Sequence, residues 1–235
     1  MFPFSENIEI RDDQEKSFSV SYEKILLHVQ PLLTKERWSR IEKVVAKRCF
    51  SNAVVLENIY DRGNASAVMR SAEALGFSQV HMIELGEKFK ESQRTTAGAD
   101  KWIELKKWKS TAECVKAPKD EGKQIVVTHL DDTSKPISAV DFSKPTALVL
   151  GNEKDGISAE MARLADHRVL LPMVGFVQSY NISVAAALSL YHMYCDRVKK
   201  LGHQGDLTDD QKEILKAVYC LRTLDSSKDI LKRLL

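Results

Sequence analysis

The chain has 235 residues, 43% apolar and 29% charged, with a net charge of +2. That composition suits a globular domain large enough to bury a core, and it excludes collagen-like and disordered chains. No apolar stretch reaches the roughly 18 residues of a membrane helix, and the N-terminus lacks the basic-then-apolar layout of a secretory signal, so a cytoplasmic protein is expected.

The first twenty residues are polar and mixed and read as a loose arm. From Glu23 to Cys49 the apolar spacing is helical. Ile25, Leu26, Val29, Leu32 and Leu33 form one group, and Thr34 is placed to cap a second helix with Trp38, Ile41, Val44 and Val45 inside. A different grammar begins at Asn52. AVVLENI (53–59) is a β-branched run and reads as a buried strand. NASAVMRSAEALG (64–76) reads as a helix with Asn64 as N-cap and Gly76 as its stop. QVHMIEL, WIELKKW, QIVVTHL, TALVLG and HRVLLPM read as further strands, with helices such as SAEMARLA between several of them. Strands alternating with helices argue for a parallel sheet covered on both faces, with ligands at the carboxyl ends of the strands. A long helix over 182–200 follows, then the turn GHQGD and a helical tail. The expected organisation is an N-terminal helical extension (1–49), an α/β domain (50–202) and a C-terminal helical extension (203–235).

The four cysteines are scattered and form no CxxC or Cys/His pairing, and the six histidines include no HExxH. No metal site is expected. Near-neutral net charge hides basic clusters, KERWSRIEKVVAKR (35–48) and KWIELKKWK (101–109) with interleaved aromatics and DRVKK (196–200) without. Such clusters suit a phosphate backbone, although solvated helix faces have the same look.

Three constellations stand at strand ends. In NIYDRGNASAVMRSAEALG (58–76), Asn64 and Arg70 lie nearly two helical turns apart. In LGNEKDGIS (150–158), Gly151 and Gly156 permit a tight turn around Glu153; a plain loop capped by Ser158 would look similar. In PMVGFVQSYNISVAAALSLY (172–191), Ser179, Asn181 or Ser183 could each cap the helix that begins near Ile182, yet four polar side chains in six residues exceed what capping needs. Neither GxGxxG nor GxxxxGK[ST] occurs, which counts against dinucleotide-binding and P-loop folds.

Together and in this order, the three constellations resemble the three motifs of the SPOUT methyltransferases, in the branch that methylates RNA ribose 2′-hydroxyls. The wording of 171–187, LPMVGFVQSYNISVAAA, is the most specific and resembles the TrmH type, which acts on guanosine 18 of tRNA. The resemblance covers roughly residues 35–205.

It implies a parallel-sheet α/β fold with a C-terminal trefoil knot, flanked by helical extensions, and a homodimer. It implies S-adenosylmethionine as methyl donor and tRNA as partner, with no metal and no membrane. Asn64, Arg70, Glu153, Ser179 and Asn181 match the motif residues. Arg70 corresponds to the arginine assigned to activating the 2′-hydroxyl. Arginine rarely gives up its proton, so a fixed cation is the alternative role. The cofactor would meet Thr128, His129, Leu130, Leu150, Gly151, Leu171, Met173, Ser179, Tyr180 and Asn181. Tyr180 stands where leucine is commoner. Lys101 and Arg197 match basic positions for RNA, with Arg37, Arg40, Lys47 and Arg48 as looser candidates. Methylation of rRNA or of another tRNA position, and a catalytically inactive RNA-binding relative, are the alternatives.

Overall fold

The computed structural model describes residues 1–11, 17–85, 98–131, 133–224 and 226–232. In chain order its elements are β1 (Asn7–Arg11), β2 (Ser17–Ser21), α1 (Tyr22–Val29), α2 (Lys35–Val45), β3 (Cys49–Glu57), α3 (Arg62–Ala74), β4 (Phe77–Ile83), β5 (Glu104–Trp108) and α4 (Thr111–Asp120). Then come β6 (Gln124–Thr128), β7 (Lys135–Pro136), β8 (Thr146–Leu150), α5 (Ala159–Leu164), β9 (His167–Leu170), α6 (Ile182–Leu201), α7 (Asp209–Thr223) and α8 (Ser227–Lys232). The chain divides into two units, Cys49–Gln204 and Met1–Arg48 with Gly205–Leu235.

The larger unit is built on the expected parallel sheet. Its strand order is β5-β4-β3-β8-β6-β9-β7, and every neighbouring pair is parallel. The central strands are apolar at nearly every position because both faces are covered. Side chains alternate between two cores, as the period of a strand demands. Val54 and Leu56 of β3, Leu148 and Leu150 of β8, and Val126 of β6 face α3 and α6. Ala53, Val55, Ala147, Val149, Ile125 and Val127 face α4 and α5. Small residues, Ala65 and Ala72 on α3 and Ala186 on α6, lie in the first core and let the helices approach closely.

β8 enters the sheet between β3 and β6, and β9 between β6 and β7, so both are inserted beside strands that precede them in the chain. The carboxyl ends of β3, β6, β8 and β9 therefore share one edge. The loops leaving that edge carry the three motifs.

In the smaller unit the two extensions pack together: α1 and α2 both contact α7. Thr34 caps α2 by accepting from the Arg37 amide, as expected. The first residues are not a loose arm. β1 and β2 pair antiparallel, Asn7 opposite Ser21, and Ile8, Ile10 and Val20 are buried. The alternation of NIEIR and SFSVS was short and flanked by charges, which masked its period of two.

Candidate active site

The 151–158 loop is closed on itself by its backbone geometry. A Cβ on Gly151 would stand 2.2 Å from the carbonyl carbon of Gly156, so only glycine permits this turn. Asn152 and Gly156 exchange backbone hydrogen bonds of 2.9 and 3.0 Å. The Asn152 side chain accepts from the amides of Lys154 and Asp155 at 2.7 and 2.9 Å. This closed turn presents Glu153 outward.

Glu153 joins the other two motifs. Its Oε1 accepts from Asn64 Nδ2 at 2.9 Å, and its Oε2 accepts from the Tyr60 amide at 3.4 Å. Asn64 Oδ1 in turn accepts from Asn181 Nδ2 at 3.3 Å. The carboxylate sets the polarity of this chain. An ionised carboxylate only accepts, so Asn64 must give it the amino group and turn its oxygen to Asn181. Asn181 then has its own oxygen left for the amide and hydroxyl of Ser183, at 2.9 and 2.6 Å. Asn181 is thus the residue that caps α6.

Asn64 is not a cap, contrary to its sequence reading. α3 starts two residues earlier, and Asp61 caps it by accepting from Gly63 N at 2.6 Å. This earlier start leaves the Asn64 side chain available to Glu153.

A cavity of about 550 Å³ opens beside this junction. Thr128, His129, Leu130, Leu150, Gly151, Leu171, Met173, Ser179, Tyr180 and Asn181 all line it, together with Glu153 and Gln178. Some of these groups are already engaged. The Thr128 hydroxyl donates to the Val149 carbonyl at 3.2 Å, and the Tyr180 hydroxyl donates to the Pro172 carbonyl at 3.1 Å. Near the rim, the hydroxyls of Thr133 and Ser134 hold the Asp131 carboxyl below its usual range, and Asp131 lies 3.4 Å from His129 Nε2.

Arg70 is exposed on α3, outside the cavity lining. Arg37, Arg40, Lys47 and Lys101 are exposed. Arg48 and Arg197 are not surface residues, at 1% and 2% exposure. The Arg48 guanidinium lies 5.6 Å from the centre of the Tyr219 ring, and Arg197 Nη1 reaches the Phe142 carbonyl at 3.4 Å. Both lie inside the protein, where their burial denies RNA the contacts that the sequence predicts for them. Two residues at the junction escaped sequence reasoning: Tyr60, which contributes only a backbone amide, and Glu57, whose one signal was a carboxylate ending an apolar run.

The sequence profile of the SpoU rRNA Methylase family matches residues 51–191. The tRNA (guanosine(18)-2′-O)-methyltransferase of Escherichia coli K12 is 36% identical over 155 residues, 66% of this chain and 68% of that protein. The enzyme of the same name from Borreliella burgdorferi is 37% identical over 187 residues, 80% of this chain and 85% of that protein. Among solved structures, the TrmH/SpoU tRNA modifying enzyme of Aquifex aeolicus superposes with a TM-score of 0.72 at 32% identity, covering 79% of this chain and 96% of that one. An AdoMet-bound rRNA methyltransferase from Sinorhizobium meliloti superposes with a TM-score of 0.57 at 27% identity, covering 68% and 60%. The profile over residues 51–191, the relatives at 36–37% identity and the superposition agree: the chain belongs to the SpoU methylase family.

Proposed function

We propose that this protein transfers the methyl group of S-adenosylmethionine to the ribose 2′-hydroxyl of guanosine 18 in tRNA. The observation that carries this reading is the junction of Asn64, Glu153 and Asn181 at the mouth of the cavity, in a chain whose relatives bear the name of that activity.

The cavity fits the donor. Gly151 holds the backbone of its loop free of side chain, Leu150 and Leu171 offer apolar walls, and polar groups converge from Ser179 and Asn181. S-adenosylmethionine supplies an activated methyl group when bound, so the protein's task is to place a hydroxyl in line and help it lose its proton. Arg70 acts on that hydroxyl as a fixed cation that stabilises the developing alkoxide. Glu153 and Asn64 hold Asn181 at the start of α6, and Ser179 and Asn181 position the ribose or its phosphate.

The exposed Arg37, Arg40, Lys47 and Lys101 supply contacts to the tRNA backbone, with affinity that falls as salt rises. The protein works as a homodimer. In support, Val184, Leu188 and Tyr191 make an exposed apolar row on α6, and the preceding loop exposes Val174, Phe176 and Val177. The insertion of β8 and β9 between earlier strands supports a trefoil knot formed by the 151–157 and 171–181 loops. No helix among the described residues is long and apolar enough to cross a membrane, and the cytoplasm is the proposed site of action.

The test is methyl transfer from labelled S-adenosylmethionine to unmodified tRNA transcripts. Label that maps to guanosine 18 supports the reading, and label at another tRNA nucleotide keeps the chemistry but overturns the position. Label confined to rRNA, or no transfer to any RNA, overturns the reading.

A further inference from the structure

Beneath the junction lies a carboxylate that the mechanism above does not use. Glu57, the last residue of β3, is 1% exposed. Its Oε1 accepts from the Thr111 hydroxyl at 2.9 Å and the Ser158 hydroxyl at 2.8 Å. Its Oε2 accepts from the Ser158 amide at 2.8 Å. Three donors from two segments converge on one buried carboxyl group, and Glu57 is separated by 54 and 101 residues from those segments. A buried carboxylate is retained only where such donors offset its desolvation.

Ser158 is the foot of the Glu153 loop. It ends that loop and caps α5 by accepting from the Met161 amide at 3.0 Å. Glu57 itself stands three residues before Tyr60, whose amide reaches the other oxygen of Glu153. The turn between foot and apex is closed by the Asn152–Gly156 pair and by the Gly151 contact. Glu57 therefore ties the end of β3 to the base of the loop, and the closed turn carries that tie to the carboxylate that orients Asn64 and Asn181.

We infer that Glu57 is a positioning residue for methyl transfer, acting through Ser158 and the closed 151–158 turn to hold Glu153 against Asn64. The inference rests on the methyltransferase reading above. Glutamine at this position keeps the shape but removes the charge that strengthens all three bonds, and with its oxygen on the Ser158 amide its amino group meets two hydroxyls that must turn from donating to accepting. Aspartate keeps the charge and withdraws it by one methylene.

The experiment is a double-mutant cycle on the full chain. Wild type, Glu57→Gln, Glu153→Ala and the double variant are assayed for kcat and for KM toward S-adenosylmethionine, with unmodified tRNA as acceptor. Thr111→Val, which removes one donor to the same carboxylate but leaves the loop's tie intact, controls for packing. The expected result is at least a tenfold fall in kcat/KM for Glu57→Gln, no further fall when it is added to Glu153→Ala, and a change within about twofold for Thr111→Val. Thermal melts report folding of each variant. Losses for Glu57→Gln and Glu153→Ala that multiply, or an equal loss in Thr111→Val, overturn the positioning role while leaving the functional reading intact. If Glu57→Gln fails to fold, Ser158→Ala, which deletes one donor to the carboxylate together with the α5 cap, takes its place in the cycle with the same expected non-additivity in kcat/KM. A wild-type protein that methylates no RNA overturns the functional reading and this inference with it.

Discussion

Asn64 and Glu153 are 89 residues apart in the chain and 2.9 Å apart in the fold. The bond is charge-assisted, and it fixes which way the Asn64 amide faces and hence what Asn181 can offer the substrate. Removing the amide should cost more than one hydrogen bond normally does. A hydrogen bond to a charged group contributes about 1.5–3 kcal/mol, which is roughly tenfold to more than a hundredfold in rate. Asn64→Ala is expected to lower kcat in that range with little change in melting temperature, since the pair is solvent-accessible. Single-turnover methyl transfer measures it; a variant within twofold of wild type contradicts the proposed ordering of the site.

Arg70 lies in the first motif but outside the cavity lining. As a fixed cation near the acceptor it should act in the transition state and leave cofactor binding alone. Arg70→Ala is expected to lower kcat by about a hundredfold or more, with S-adenosylmethionine affinity within about twofold of wild type. Arg70→Lys should recover part of the rate, because it restores charge without the planar fork. Full activity in Arg70→Ala removes Arg70 from the chemistry.

The Gly151 turn makes a steric prediction. A Cβ there meets the Gly156 carbonyl carbon at 2.2 Å, with Ile157 N and the Gly156 oxygen also within 2.4 Å. Backbone cannot yield as a flexible side chain would. Gly151→Ala should shift the loop and weaken S-adenosylmethionine at least tenfold, read by calorimetry. Unchanged affinity would show that the loop has no part in holding the donor.

Tyr180 closes its own loop through the 3.1 Å bond from its hydroxyl to the Pro172 carbonyl. Tyr180→Phe deletes that bond and keeps the ring. A neutral hydrogen bond contributes about 0.5–1.5 kcal/mol, so the dissociation constant for S-adenosylmethionine should rise about twofold to tenfold or slightly more. No change would mean that the ring alone matters.

His81 gives a pH signature independent of the active site. It is 3% exposed, and its Nδ1 accepts from Trp108 Nε1 at 3.1 Å. Burial, aided by the Lys106 and Lys123 charges, lowers its pKa from 6.5 to about 4. The unfolded chain therefore binds the proton first. Stability is full above about pH 6.5 and is lost as pH falls toward 4, by about 3 kcal/mol in all. Urea unfolding at pH 7 and pH 4.5 should show this slope in wild type and a reduced slope in His81→Leu. Equal slopes would show that other groups carry the acid sensitivity.

Much of the fold was legible because a strand covered on both faces needs a continuous apolar run, and β3, β6 and β8 have one. The hairpin of β1 and β2 was not, since Ile8, Ile10 and Val20 are too few to stand out between charges. Within the site, the motif residues were legible as a set of polar groups beyond what caps require. Their division of labour was not. Local rules favour Asn64 as a cap, and only the true cap, Asp61, shows why its amide is available for Glu153. Arg48 and Arg197 carry the same side chain as the exposed Arg37 and Arg40, and a charge run does not say which member will lie under a tyrosine ring or beside a carbonyl. Glu57 carries no local signal of its role, because its partners, Thr111 and Ser158, are distant in the chain and unremarkable in type.

The most direct measurement uses two tRNA transcripts that differ in one atom. One carries guanosine at position 18, and the other carries 2′-deoxyguanosine there. With labelled S-adenosylmethionine, the first should take up one methyl group per tRNA and the second none. Equal uptake by both transcripts would contradict methylation at that hydroxyl and send the search to another nucleotide.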